Sequence, residues 1–172
     1  MNFRSFFRVY VLACMIGLPF RSSFAQEKKI SQQELPAAVR TAFEKTYPHA
    51  KIQGASQEVE KGKTLYEIES IEGTVRRDLL LEADGTIVEI EEEITASDLP
   101  AAVKATIQKN FPSDKIEKAE KITRGSTEEY ELQLLAGKTT REVVVGPDGV
   151  IRTREKEKDE ETEMDDDEAE DD

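Results

Sequence analysis

Apolar residues recur at every fourth position in two stretches of this chain and alternate with polar residues elsewhere. Leu35, Val39, Phe43 and Tyr47 form the first stripe, widened by Ala38 and Ala42. Leu99, Val103, Ile107 and Phe111 form the second. That spacing places one apolar stripe along a helix face. Pro36 and Pro100 fall in the first turn, where a missing N–H costs nothing. Ser97 and Asp98 offer capping oxygens to the second helix. Pro48 and Pro112 push Tyr47 and Phe111 out of the helical region, so both helices end there.

Four strand-like runs follow each helix. The first set covers 52–60, 64–71, 75–82 and 86–93, punctuated by Gly62, Gly73 and Asp84-Gly85. The second covers 116–123, 129–135, 139–145 and 150–156, punctuated by Gly125, Gly137 and Asp148-Gly149. Asp-Gly between β-rich runs signals a hairpin, because glycine accepts a positive φ. Tyr66 and Ile68 alternate with Glu67 and Glu69, and Tyr130 and Leu132 alternate with Glu129 and Glu131. Each strand therefore has one apolar face and one charged face.

The two sets are copies. LPAAVRTAFEKTYPHAKI from Leu35 and LPAAVKATIQKNFPSDKI from Leu99 share nine of 18 positions at an offset of 64 residues. A repeat at fixed offset means one supersecondary unit used twice. The expected fold class is α+β, with two tandem α-β-β-β-β modules, each one helix packed on a four-stranded antiparallel sheet. The modules span 34–93 and 94–157, with 26–33 as a linker. A unit of about 60 residues buries too little surface to be comfortable alone. The copies therefore join, either edge to edge in one sheet or face to face. Edge joining also caps two exposed strand edges. Helices on one sheet face would leave the other, charged, as the docking surface.

The ends change the picture. Residues 1–25 read as a signal peptide: Arg4 and Arg8, an apolar run from Val9 to Leu18, then Ser23-Phe24-Ala25 ahead of a cut between Ala25 and Gln26. Ten apolar residues are too few for a helix across a bilayer. Val11-Leu12-Ala13-Cys14 offers a lesser alternative, a lipoprotein box with Cys14 lipidated. A mature chain starting at Gln26 has no cysteine, so packing rather than disulfides would hold it. The expected location is periplasmic or secreted.

The net charge is −13, and most of it lies in residues 155–172, with 13 acids against two lysines. An acidic body and tail repel nucleic-acid phosphates and anionic membrane surfaces. The tail at 158–172 cannot bury a core and reads as disordered. Asp165, Asp166 and Asp167 attract cations loosely, without the alternating ligands and turn glycine of a calcium loop.

Catalytic chemistry has little to work with. His49 is the one histidine, and after Pro48 it reads as an exposed loop residue rather than a base or a ligand. No zinc spacing, phosphate-binding glycine loop or activated serine appears, and no cofactor is expected. Glu89, Glu91 and Glu93 share one strand face, where like charges raise a pKa or collect cations, or simply form a solvated face. Tyr66 and Tyr130 occupy equivalent positions, either as binding anchors on the sheet or as core residues beneath the helices. Arg77 and Arg141 also coincide and are expected to pair with strand carboxylates.

The LPAAV-R/K motif with its closing YP or FP, the Tyr-Glu-Ile and Tyr-Glu-Leu strands, and the strand after each Asp-Gly turn resemble the PepSY-like repeat. That repeat belongs to a beta-lactamase-inhibitor-like family of exported bacterial proteins. The resemblance spans about residues 34–93 and 98–157. It implies a tandem fold similar to the beta-lactamase inhibitory protein. The function expected is an exported, non-catalytic, inhibitor-like module that docks a protein partner, such as a hydrolase or sensor, through the open sheet face. The binding candidates are Tyr66, Tyr130, Glu89 and Glu91. A divalent-cation-binding acidic surface protein is the alternative, and a carboxylate-based hydrolase using Glu91 is a distant third.

Overall fold

The computed structural model describes residues 27–60 and 62–154. Among these, the apolar stripes form α1 (Ala37–Thr46) and α2 (Ala101–Asn110). Both helices stop where the prolines require. Tyr47 and Phe111 are the C-caps, and their N–H groups donate to the carbonyls of Phe43 and Ile107, each at 2.8 Å. The start differs from expectation. Pro36 and Pro100 are the N-caps, and neither helix receives a side-chain cap. Asp98 is instead spent one turn earlier, accepting from the Thr95 N–H at 3.1 Å and the Thr95 hydroxyl at 2.6 Å. Glu34 does the same for Ser31 in the first copy, at 2.8 and 2.9 Å. These reciprocal contacts fix the chain's entry into each helix.

The strands are β1 (Lys28–Lys29), β2 (Lys51–Glu60), β3 (Lys63–Glu72), β4 (Val75–Glu82), β5 (Ile87–Ile94), β6 (Lys115–Arg124), β7 (Thr127–Ala136), β8 (Thr139–Val145) and β9 (Ile151–Arg154). They form one antiparallel nine-stranded sheet in chain order. The fold is α+β, but the strands are not divided into two separate four-stranded sheets. β5 and β6 pair across the boundary, with Ile90 opposite Thr123 and Ile94 opposite Ala119. Edge joining satisfies backbone groups that two separate sheets would leave open. The segment expected as a linker also contributes: Lys28 and Lys29 pair with Gln57 and Ser56, and residues Gln32–Glu34 form a short 3-10 turn.

Both helices lie on the same side. Leu35, Val39 and Phe43 pack over Ala55, Ile68, Leu79 and Leu81. Leu99, Val103, Ile107 and Phe111 pack over Ala119, Leu132, Leu134, Val143 and Val145. Register shifts recur at the repeat offset, at Ile52/Gly54 and Ile116/Lys118, then at Leu80/Leu81 and Val144/Val145. Such bulges bend a sheet and increase its twist. The Asp-Gly turns tuck beneath the helices. Gly85 and Gly149 have φ of +89° and +80°, and a Cβ there would meet the carbonyl oxygens of Ala38 at 2.7 Å and Ala102 at 2.9 Å.

Candidate docking face

Strand alternation decides which side chains are left on the helix-free face. Because Ile68, Leu79 and Ile90 face the helices, Glu67, Leu80 and Glu89 face away. The same alternation turns Glu69, Asp78, Glu91, Ile122 and Glu129 outward on successive strands. Glu89 and Glu91 lie on β5, the middle strand of the nine.

This face is not uniformly polar. Leu80 is 4% exposed and Ile122 3% exposed. Leu80 lies in register between Glu67 and Glu89, and Ile122 has Glu91 on one side and Glu129 on the other. Each apolar side chain is thus flanked by carboxylates. Adjacent like charges on a sheet are destabilising unless countered. Arg124 supplies part of the counter-charge at the centre. It binds Glu89 on β5 and reaches Glu129 on β7 at 3.1 Å, tying three strands across the boundary between the copies. Toward the margins, Lys118 binds Glu120 at 2.6 Å and Lys63 binds Glu82 at 2.9 Å. The hydrogen bond to Glu82 raises the Lys63 pKa, with the Glu82 charge adding to it.

Tyr66 and Tyr130 are not on this face. Tyr130 belongs to the second core and Tyr66 packs against the first, both on the helix side. Alternation places Tyr66 opposite in sense to Glu67, so the tyrosines and the glutamates cannot meet one partner on one surface. Arg77 and Arg141 also face the helices. Arg77 pairs with Glu92, reaches Glu72 at 3.0 Å, and stands 4.7 Å from the centre of the Tyr47 ring. Arg141 pairs with Asp114 at 3.3 Å, a loop carboxylate rather than the expected strand one, and stands 5.8 Å from the Phe111 ring centre. The equivalent arginines thus fasten each helix C-terminus to the sheet through cation–π contact.

His49 is exposed. Among the described residues, no group of three or more His, Cys, Asp or Glu converges to hold a metal. Asp165, Asp166 and Asp167, the cleavage pair Ala25 and Gln26, and Cys14 lie outside the described residues. Leu80, Ile122 and Arg124 are what sequence reasoning missed. The run Leu79-Leu80-Leu81 did carry the signal, since three consecutive apolar residues on a strand put at least one on each face.

The family model described as "Putative beta-lactamase-inhibitor-like, PepSY-like" matches residues 23–89 and 78–150. The chain belongs to the PepSY-like family. No curated protein matches it in sequence. Several solved structures share the PepSY-like chain's fold. A DUF2874 family protein from Bacteroides uniformis is 15% identical with a TM-score of 0.60, covering 70% of this chain and 88% of that one. A protein from Bacteroides eggerthii described as "putative periplasmic" is 17% identical with a TM-score of 0.60, covering 70% and 87%. A BLIP-like protein from Bacteroides fragilis is 17% identical with a TM-score of 0.57, covering 70% and 85%. Among the described residues, no helix of this PepSY-like chain is long and apolar enough to cross a membrane.

Proposed function

We propose that this PepSY-like chain is an exported, non-catalytic binding module that docks a protein partner, such as a hydrolase or sensor, through its helix-free sheet face. The observation that carries this reading is the charge of that face, where Glu67, Glu69, Glu89, Glu91 and Glu129 stand on strands of both copies. Leu80 and Ile122 are buried among these carboxylates and hold them in place rather than offering apolar contact. The acidic face calls for a basic contact surface on the partner, because complementary charge steers encounter and fixes register. The two copies, 34–93 and 94–157, act as one platform, and Glu89 and Glu91 contribute its central charges. Residues 1–25 direct export and are removed by cleavage between Ala25 and Gln26, with delivery to the periplasm or medium. The "putative periplasmic" and BLIP-like descriptions of proteins with this fold support that reading.

Affinity capture from a periplasmic extract tests it, using the wild type, a Glu89→Gln/Glu91→Gln variant and a helix-surface control, Lys104→Ala. A protein retained by the wild type and the control should be lost from the double variant by about tenfold or more. Equal retention by all three removes the helix-free face as the docking surface. The intact mass of the exported chain tests the start at Gln26 against a lipidated Cys14.

A further inference from the structure

On the helix side, the boundary between the copies holds a groove of about 620 Å³. Val75 and Ile94 supply apolar wall, and Glu92, Lys121, Glu128 and Tyr130 supply polar groups. The size suits a small ligand. Three of the lining carboxylates are already engaged. Glu92 pairs with Arg77, Glu93 lies 3.9 Å from Arg76, and Asp98 accepts from Thr95. Lys121, Glu128 and the Tyr130 hydroxyl have no hydrogen bond or ion pair among the described residues.

Tyr130 is the telling member: the residue is only 7% exposed, yet its hydroxyl is not sealed in the core and opens to the groove. Its ring belongs to the core, whereas its residue lines the groove. Lys121 lies directly opposite it across the β6–β7 pair, so both side chains stand on one face within reach of a common group. Burial and the nearby Glu128 charge push the Tyr130 phenol upward, which keeps it a hydrogen-bond donor at neutral pH. An ammonium and a phenol side by side, both unengaged, suit a carboxylate. Glu128 precedes Tyr130 by two residues on the same strand face, roughly 7 Å along the strand. It offers a counter-charge at the distance of a second group on the same ligand.

We propose that this groove binds the free carboxylate end of a short peptide, held by Lys121 and Tyr130, with a cationic group of the same peptide at Glu128. The site is on the opposite sheet face from the docking surface and stands or falls independently of it.

Calorimetric titration of the full chain with the dipeptide Gly-Leu tests the proposal, against glycyl-leucinamide and N-acetyl-Gly-Leu. Gly-Leu should bind saturably in the millimolar range. The amide, which lacks the carboxylate, should bind about tenfold more weakly, and the acetylated form should also lose affinity. Tyr130→Phe should weaken Gly-Leu binding severalfold while leaving the thermal midpoint unchanged or raised, because it removes a hydroxyl that has no partner. Lys121→Met should weaken binding about tenfold. Failure of Gly-Leu to saturate at about 10 mM overturns the proposal. So does an amide that binds as tightly as the acid, or unchanged affinity in both variants.

Discussion

Gly85 shows how much a single position can be asked to do. Its φ of +89° is one that side-chain-bearing residues rarely adopt, and a Cβ would stand 2.7 Å from the Ala38 carbonyl oxygen. Gly62, at φ +81°, has nothing within 4 Å of that added carbon. Gly85→Ala therefore adds a steric cost to a conformational one. It should destabilise by about 1–3 kcal/mol and by more than Gly62→Ala, read as the shift in urea midpoint. The Asp-Gly pair was legible as a turn; its seat under the helix was not, because close approach depends on the third dimension. Titration adds a second residue-scale prediction. The Ser31 backbone N–H and hydroxyl lower the Glu34 pKa, the Thr86 N–H lowers Asp84, and the Thr95 hydroxyl and N–H lower Asp98. A carboxylate lowered on folding contributes stability above its unfolded pKa and loses it as pH falls through the folded value. Stability should decline on the acid side from about pH 5 downward, and Asp98→Asn should flatten that decline in urea unfolding measured across pH.

At the scale of elements, the helices and most strands were readable because period and punctuation agree. The Leu35–Tyr47 stripe and Pro48 define α1, and alternation around Tyr66 and Ile68 defines β3. β1 was not readable: two lysines have no apolar period, and only pairing to Gln57 and Ser56 makes them a strand. Side-chain capping by Ser97 and Asp98 failed because the chain spends Asp98 on Thr95 instead. The equivalent core residues Ile68 and Leu132 are both fully buried, in different clusters. Ile68→Ala and Leu132→Ala should each cost about 2–5 kcal/mol. Since the two share no cluster, the double variant should equal the sum within about 0.5 kcal/mol by denaturant unfolding. A much larger or smaller combined effect would mean that the two cores are coupled through the sheet.

For the whole molecule, duplication was plain from the offset of 64, and it left both edge and face joining open, with only the capping of exposed edges on the side of the first. The choice rests on the β5–β6 ladder, whose register no sequence pattern specifies, since Glu91-Glu92-Glu93 lacks the clean alternation that pins one. For the candidate site, Glu89 and Glu91 were legible as a charged face. Tyr66 and Tyr130 were legible only as a choice between anchor and core; their phase relative to the helices places Tyr130 in the second core and Tyr66, half-buried, against the first. Ile122 and Arg124, which meet Glu91 and Glu89 of the other copy, acquire meaning only once the two copies share a sheet. The platform then has two unlike sides, an acidic helix-free face and a grooved helix face.

The most direct measurement places a photo-cross-linking amino acid at position 91 on the helix-free face, or at exposed position 44 on α1, in the exported chain within cells. A discrete higher-mass adduct from position 91 and none from position 44 is the result expected of a sheet-face docking module. An adduct from position 44 with none from position 91 would contradict it.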